Sequence, residues 1–235
     1  MAVRERHRAE TAVTTRAARP VVKPFVTTVA LSFALSLAAC ASRAPAPEWQ
    51  GNAKTASERS TTAYLAGNAR IDDAELARAR GEVARTGRAD LFARVELAHC
   101  AAQVASLVFG PCVRFEGLRA DAAAPERAYA DYLGAKLASG DVALLPEAHR
   151  AVAANPAALA SIADPLSRLV AAGVLFEAGR ADPVAIALAV DTASAQGWRR
   201  PLLAWLGVQL KRAEAAGAAD EAQRLRRRIA LIEGG

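Results

Sequence analysis

The sequence predicts an all-α protein. Hydrophobic residues make up 53% of the 235-residue chain, aromatic residues make up only 5%, and alanine is the commonest residue. Alanine favours helices, whereas strands draw on β-branched and aromatic residues, so this composition argues against an all-β fold. The composition also excludes a wholly disordered chain, because burial of this much apolar surface can offset the entropy lost on ordering.

The first 39 residues have the pattern of a secretory signal peptide. A basic segment ends at Lys23, and an uninterrupted run without charges extends from Phe25 to Ala39. That run is shorter than the roughly 20 residues that a membrane-spanning helix needs. It ends in small residues, as a signal peptide does before its cleavage site. We therefore expect residues 1–39 to be absent from the mature protein.

A cysteine follows this run directly, in the sequence Leu37-Ala38-Ala39-Cys40. These residues resemble the lipobox of bacterial lipoproteins, in which a branched residue and two small residues precede the modified cysteine. The resemblance implies that the Cys40 thiol receives a diacylglyceryl group and that signal peptidase II cleaves before it. The new amino group then takes an acyl chain such as palmitate. Two or more acyl chains give stable anchoring, whereas an ordinary secreted protein with an unmodified cysteine is the alternative.

The residues after Cys40 bear on where the protein is anchored. In the lipoprotein family, an aspartate just after the cysteine favours retention in the inner membrane, but here Ala41 and Ser42 follow. The resemblance therefore implies transport to the periplasmic face of the outer membrane. Residues 40–54 contain prolines and little periodicity, so we expect a lipidated N-terminus and a flexible tether. Residues 55–235 would then form one all-helical domain.

The net charge gives no indication of a nucleic-acid partner. The whole chain has 30 basic and 24 acidic residues, for a net charge of +6. Residues 1–39 hold six of the basic and two of the acidic residues, so 24 basic and 22 acidic residues remain after the leader. A net charge of +2 on the mature chain is far from the basic footprint of a nucleic-acid-binding domain.

Helix signals recur along the rest of the chain. Asp164-Pro165 and Asp182-Pro183 each place an N-cap aspartate before a proline that suits the first helical position. Apolar residues at helical spacing support the same interpretation. The apolar run 183–190 predicts a centrally buried helix, and a strand is the alternative. The predicted helices span residues 54–66, 72–86, 89–107, 124–138, 146–154, 165–178, 183–196, 200–216 and 219–232.

The short links between these segments predict antiparallel helical hairpins. Two hairpins, 72–107 and 165–196, resemble degenerate tetratricopeptide repeats. The resemblance implies a superhelix with a concave surface, and an irregular helical bundle is the alternative. It rests on Gly81 followed by Ala93, Leu97 and Cys100, and on Gly173 followed by Ala185, Ala189 and Thr192 at the same offsets.

The remaining cysteines predict a disulfide. If Cys40 is lipidated, Cys100 and Cys112 form an even pair in an oxidising compartment. Two buried free thiols are the alternative, and we predict no metal site. Residues 110–123 would form a loop that is held at Cys112, with Phe115 turned inward.

Catalytic motifs are absent from the sequence. We find no nucleophile elbow, no metalloprotease motif, no P-loop and no dinucleotide fingerprint. His99 is expected in the core or at its boundary, and His149 is expected to be exposed. Glu96 and His99 could form an acid–base pair, but no third group or nucleophile accompanies them. We therefore predict no catalytic residue, no cofactor and no enzymatic activity.

The turn between the last two predicted hairpins is the best candidate for a partner-binding site. It brings together Gln196, Trp198, Arg199 and Arg200. Tryptophan and arginine are enriched at binding hot spots, and arginine binds carboxylates or phosphates with two hydrogen bonds. The alternative is that Trp198 packs as a hydrophobic plug while both arginines are solvated or paired with nearby carboxylates.

These observations predict a binding protein. We expect a lipid-anchored scaffold or accessory subunit of the cell envelope, with an envelope protein as its partner and a groove rimmed by arginine and glutamine. A helical lipoprotein that binds a small ligand or a lipid is the alternative, and it would contain an apolar cavity lined by alanine and leucine. An envelope hydrolase is a further alternative, although the sequence offers no nucleophile or metal ligands for it.

Replacement of Cys40 tests the lipid anchor. The Cys40→Ala variant should incorporate no tritiated palmitate and should leave the membrane pellet, because the thiol that carries the diacylglyceryl group is missing. The Cys100→Ala variant keeps Cys40 and should still incorporate the label. Equal labelling of the wild type and Cys40→Ala would contradict lipidation at this residue.

Overall fold

Helices account for the secondary structure of residues 47–234, which are the residues that the computed structural model describes. This confirms the predicted all-α class: within that range there are ten α-helices, two 3-10 helices and no strand. None of these helices is both long and apolar enough to cross a membrane. The 3-10 helices span Ser139–Leu144 and Pro156–Ser161. The α-helices are α1 (Glu48–Ala66), α2 (Ala69–Ala84), α3 (Ala89–Ala105), α4 (Val113–Glu116), α5 (Ala124–Leu133), α6 (Glu147–Ala154), α7 (Pro165–Glu177), α8 (Pro183–Ala195), α9 (Arg199–Ala215) and α10 (Ala219–Glu233).

Both predicted Asp-Pro helix starts are confirmed. The carboxylate of Asp164 accepts a hydrogen bond from the Ser167 N–H at 2.7 Å, at the start of α7. Asp182 accepts one from the Ala185 N–H at 2.7 Å, at the start of α8. At the end of α1, Gly67 adopts a φ of 87°, a left-handed conformation that suits glycine and that turns the chain into α2.

The predicted tether is too long, because α1 begins at Glu48, inside the segment 40–54. Ala53 and Ala56 are buried against Leu76 and other apolar residues of α2 and α3. This burial stabilises the first turns of α1, although a preceding proline and an internal glycine hide their helical pattern in the sequence. Residues 40–46, including Cys40, lie outside the described residues.

Three other segments differ from the sequence prediction. Helix α5 ends at Leu133 and not at residue 138, because Ala135 takes a left-handed φ of 54°. Helix α8 is not buried on all sides, since Val184 is 73% exposed. The predicted loop 110–123 contains the short helix α4, but Phe115 is fully buried, as expected.

Helices α3, α7 and α9 meet at the centre of the core. A Cβ at Gly173 of α7 would overlap the Val104 carbonyl oxygen of α3 and would lie 3.0 Å from its carbonyl carbon. The fully buried Trp205 of α9 donates its indole N–H to the Ala105 carbonyl at 3.1 Å. Phe176 of α7 packs edge-on against Trp205, with 5.7 Å between the ring centroids.

The predicted cysteine pair is at disulfide distance. The Cα atoms of Cys100 and Cys112 are 6.1 Å apart, and the two residues are bonded, which joins α3 to the start of α4. The glycines of the repeat-like hairpins differ from each other. Gly81 has open space where a Cβ would be placed, whereas the three atoms nearest to a Cβ at Gly173 all belong to Val104 of α3. The resemblance to tetratricopeptide repeats stays a prediction.

The two glycines give a matched test of the core. Gly173→Ala should lower the free energy of unfolding by about 1–3 kcal/mol, because overpacking forces the backbones of α3 and α7 apart. Gly81→Ala should raise it by about 0.5–1 kcal/mol, because alanine fits the helix and restricts the unfolded chain. Urea unfolding followed by circular dichroism measures both. Equal midpoints for the two variants would contradict the close approach at Gly173.

Candidate functional site

The predicted partner-binding residues divide into exposed and packed ones. Gln196 and Arg199 are exposed, and Arg199 donates a hydrogen bond to the Glu233 carbonyl at 3.2 Å. Trp198 is half-buried and packs on the core. Arg200 donates to the Tyr64 carbonyl at 2.8 Å, and its guanidinium lies 4.2 Å from the centroid of the Tyr64 ring. Trp198 and Arg200 therefore join α9 to the end of α1, which leaves Gln196 and Arg199 on the surface.

His99 lies in a polar cluster between the first three helices. Its Nε2 is 3.2 Å from Asp72, and Asp72 also accepts a hydrogen bond from the Ser60 hydroxyl at 2.6 Å. The serine contacts the carboxylate and not the imidazole, and it is 1% exposed, so it is not placed as a nucleophile. Glu96 is held by two hydrogen bonds from Arg80 at 2.6 and 2.7 Å, which argues against a Glu96–His99 acid–base pair.

A chamber of about 660 Å³ opens between α3, α5, α6 and α7, with α1 at one side. Its volume lies within the usual range for sites that bind small molecules. Most of its wall is apolar, and four of the apolar wall residues are buried: Leu97, Ala101, Leu145 and Val170. The other apolar residues of the wall include Ala98, Leu144 and Leu166. This lining of alanine and leucine is the one expected of a ligand-binding protein.

Three helices begin at this chamber. Pro125 and Glu126 from the first turn of α5, His149 from the first turn of α6, and Ser167 from the first turn of α7 all line it. Proline near the start of each helix favours these boundaries, because it cannot continue a preceding helix and is tolerated in the first turn. The N-terminus of a helix carries partial positive charge and free N–H groups. The polar part of the chamber is therefore electropositive in its backbone.

A buried carboxylate and an arginine form one side of the opening. Arg94 donates its Nε–H to Glu126 Oε1 at 2.7 Å, and the Glu126 side chain is only 8% exposed. The second oxygen, Oε2, is shielded from solvent and has no hydrogen-bond partner among residues 47–234. On another side, exposed Arg150 donates its Nε–H to the Leu145 carbonyl at 2.8 Å. This bond orients the guanidinium and leaves its terminal nitrogens for other contacts.

His149 is buried in the chamber wall, so the prediction that it is exposed is wrong. It is 3% exposed, because α6 turns this residue towards α5. Its Nδ1 lies 3.3 Å from the Tyr132 hydroxyl, and its ring centroid lies 5.6 Å from that of Tyr129. Burial lowers the pKa of His149 to about 4, although Asp164 acts in the opposite direction. The imidazole is therefore neutral at pH 7.

The two tyrosines beside His149 are also neutral at physiological pH. Burial raises the pKa of Tyr129, and the Asp164 carboxylate raises it further. Burial likewise raises the pKa of Tyr132, and Tyr129 adds to this effect. The rings of Tyr129 and Tyr132 stack with 6.1 Å between centroids. Of the two tyrosines only Tyr129 lines the chamber, and it contributes a neutral aromatic side chain to the wall.

Two further depressions adjoin the chamber along α1. One, of about 390 Å³, is lined by Gln196 and Trp198 and shares Leu166 and Thr61 with the chamber. The other, of about 480 Å³, is lined by Trp49 and shares Arg94 with the chamber. The residues shared with the first depression place Gln196, one of the two exposed residues of the predicted partner-binding turn, next to the chamber.

The described part of the chain offers no metal centre. No group of three or more histidine, cysteine, aspartate or glutamate side chains in residues 47–234 is arranged to hold a metal ion. The polar residues of the chamber, chiefly Arg94, Glu126, His149 and Arg150, are instead suited to binding by hydrogen bonds and charge.

The sequence does not single out these chamber residues. Arg94 and Glu126 are far apart in the chain, and the pattern around His149 predicts an exposed residue. One signal was present, since Pro125, Pro146 and Pro165 each mark the start of a helix. That signal predicts where the helices begin, but it does not show that their N-termini converge.

The pH dependence of unfolding tests the burial of His149. An unfolded histidine titrates near 6.5, whereas His149 titrates near 4 in the folded protein. Between these values the unfolded chain binds a proton that the folded protein does not bind. The free energy of unfolding should therefore fall by about 2–3 kcal/mol as the pH drops from 6.5 to 4.

The control is His149→Asn, which cannot titrate in this range. Urea unfolding at several pH values should show a smaller loss of stability in this variant than in the wild type. The burial of a neutral ring would be contradicted if the free energy of unfolding fell equally with pH in the wild type and in His149→Asn. An NMR titration of the His149 imidazole with a midpoint near pH 6.5 would also contradict it.

The comparisons with known proteins add no family to this description. No protein-family model, curated protein or solved structure matches the chain. Function is therefore inferred from the chamber, its lining and its charges.

Proposed function

We propose that this protein is a lipid-anchored protein of the cell envelope that binds a small amphipathic ligand in the chamber. The observation that supports it is a chamber of about 660 Å³ with an apolar wall and with polar groups gathered where α5, α6 and α7 begin. An apolar pocket with a few convergent polar groups is the usual form of a small-molecule site. The wall would bind the apolar body of the ligand, and the helix starts would orient its polar end.

The lipobox-like sequence that ends at Cys40 supports the location in this proposal. Acyl chains on that cysteine would hold the chamber close to a membrane, on the periplasmic face of the outer membrane. A membrane is a source of amphipathic molecules, so anchoring and ligand binding are compatible roles. The ligand would be bound and not converted, because we assign no nucleophile or metal ligand to the chamber.

A protein-binding scaffold is the second candidate. The observation that favours it is the depression of about 390 Å³ lined by Gln196 and Trp198 beside the chamber. A partner polypeptide could dock there and contact exposed Arg199, as the sequence predicts. Such binding would depend on Gln196 and Arg199, whereas ligand binding would depend on the residues of the chamber wall.

A chamber-filling substitution tests the first proposal. Full-length protein purified from its own cells should yield a co-purifying amphipathic molecule on solvent extraction and mass spectrometry. Ala98→Trp should lower the amount of co-purifying ligand about tenfold, because the indole occupies the chamber. A tenfold loss corresponds to a loss of about 1.4 kcal/mol in the free energy of binding. Ala98 is half-buried in the wall, so the larger side chain can extend into open space.

The matched control is Ala84→Trp, which adds the same side chain at an exposed position at the end of α2. Its ligand content should equal that of the wild type. Equal content in all three proteins, or no extractable ligand in the wild type, would contradict the proposal.

A further inference from the structure

The polar end of the chamber is built mainly from hydrogen-bond donors. Helices α5 and α6 begin without a side-chain cap, so no side chain accepts from the N–H groups of their first turns. Within these turns, Pro125 has no N–H, and the His149 N–H donates to the Pro146 carbonyl, so the remaining N–H groups are the free donors. Free N–H groups and the positive end of the helix dipole favour a negatively charged group. In α7, by contrast, Asp164 already caps the Ser167 N–H. The first turns of α5 and α6 are therefore the better placed to meet an anion.

Two arginines add positive charge to the same lining. Arg94 and Arg150 both line the chamber and use their Nε–H groups within the protein, which leaves the terminal nitrogens of both guanidinium groups without a hydrogen-bond partner among residues 47–234. Glu126 is the one acidic residue of the lining, and Arg94 already neutralises it. Its unpartnered oxygen is shielded from solvent, so it is closed to a ligand in this conformation.

The aromatic wall supplies one more polar contact. The Tyr132 hydroxyl occupies Nδ1 of His149, which leaves Nε2 as the ring nitrogen available to a ligand. His149 is more than nine-tenths buried and belongs to the chamber lining. When the Tyr132 hydroxyl donates to Nδ1, the ring carries its proton on Nε2 and can donate it to a ligand oxygen.

From this arrangement we propose that the chamber selects an amphipathic anion with a carboxylate or phosphate head group. The head group binds between Arg150, Arg94 and the first turns of α5 and α6. The apolar body of the ligand packs on Leu97, Leu145, Val170 and their neighbours. This inference rests on the proposed role of the chamber as a ligand site, and it specifies that the ligand is negatively charged.

An amphipathic cation is the main competing ligand. Glu126 and Asp164 are the acidic residues that act on the chamber, and the faces of Tyr129 and His149 could attract a cation. However, Glu126 is paired with Arg94, and Asp164 holds the start of α7. The tyrosine rings pack on each other and on His149, so they do not form an open cage.

Photolabelling with matched probes tests the charge preference. The probes are four alkyl diazirines that share one chain and carry a carboxylate, a phosphate, a trimethylammonium or a hydroxyl group. Each is added to membranes that contain the full-length protein, and the labelled peptides are identified by mass spectrometry. The carboxylate or the phosphate probe should label chamber-wall peptides at least about tenfold more than the ammonium probe. A comparison of these two anionic probes distinguishes a carboxylate site from a phosphate site.

Arg150→Gln tests the source of the preference. Arg150 is exposed and its side chain contacts a loop carbonyl, so the variant should fold normally. Labelling of this variant by the anionic probes should fall about tenfold, because a charge-assisted hydrogen bond of about 1.5 kcal/mol is lost. Labelling by the hydroxyl probe should stay unchanged. Arg227→Gln, at an exposed position on α10 away from the chamber, should leave all labelling unchanged.

The outcomes separate this inference from the proposed function. Equal labelling of the chamber wall by anionic, cationic and neutral probes would overturn the anion preference and would leave the ligand site intact. Unchanged anion labelling in Arg150→Gln would overturn the proposed binding of the head group at Arg150. A complete lack of chamber-wall labelling by every probe would overturn both the preference and the ligand site.

Discussion

The close approach of α3 and α7 is the constraint on which the rest of the structure depends. Gly173 lets the backbone of α7 contact the Val104 carbonyl, and any larger side chain would push the helices apart. Next to this contact, Trp205 binds the Ala105 carbonyl and brings α9 onto the same pair. Because α7 is placed so firmly against α3, its first turn meets those of α5 and α6 around one space. The chamber is therefore a product of core packing.

The polar groups around Asp72 in the core have hydrogen-bond partners within the protein, whereas several polar groups of the chamber have none among the described residues. Between α1, α2 and α3, Asp72 satisfies both Ser60 and His99, so this cluster is closed on itself. At the end of α1, Arg200 donates to the Tyr64 carbonyl, which also accepts a hydrogen bond from the Gly67 N–H. In the chamber, by contrast, α5 and α6 begin without a side-chain cap, and the terminal nitrogens of Arg94 and Arg150 have no hydrogen-bond partner among residues 47–234. Polar groups without internal partners are what a binding site requires, and this contrast supports the functional proposal.

Local signals predicted most of the helices correctly. The caps at Asp164 and Asp182 depend on neighbours within three residues, so they can be read from the sequence. The start of α1 was missed because its first turns are stabilised by contact with α2 and not by their own composition. His149 was missed for a related reason. The sequence of a short helix with mixed polarity gives little indication of which side faces the protein. In α6, the side that carries His149 is buried because it packs against Tyr129 and Tyr132 of α5.

The sequence by itself determined the helical class, the helix order, the cysteine pair and an expected lipid anchor at Cys40. These properties depend on residue propensities, on periodicity and on short motifs, which are local. The tertiary structure decided that Trp198 and Arg200 pack inward and that Arg94, Glu126, His149 and Arg150 line one chamber. Arg94, Glu126 and the neighbouring pair His149-Arg150 are separated from one another by more than twenty positions in the chain. Their meeting depends on the angles at which helices pack, and side-chain shape at contacts such as that of Gly173 with Val104 sets those angles.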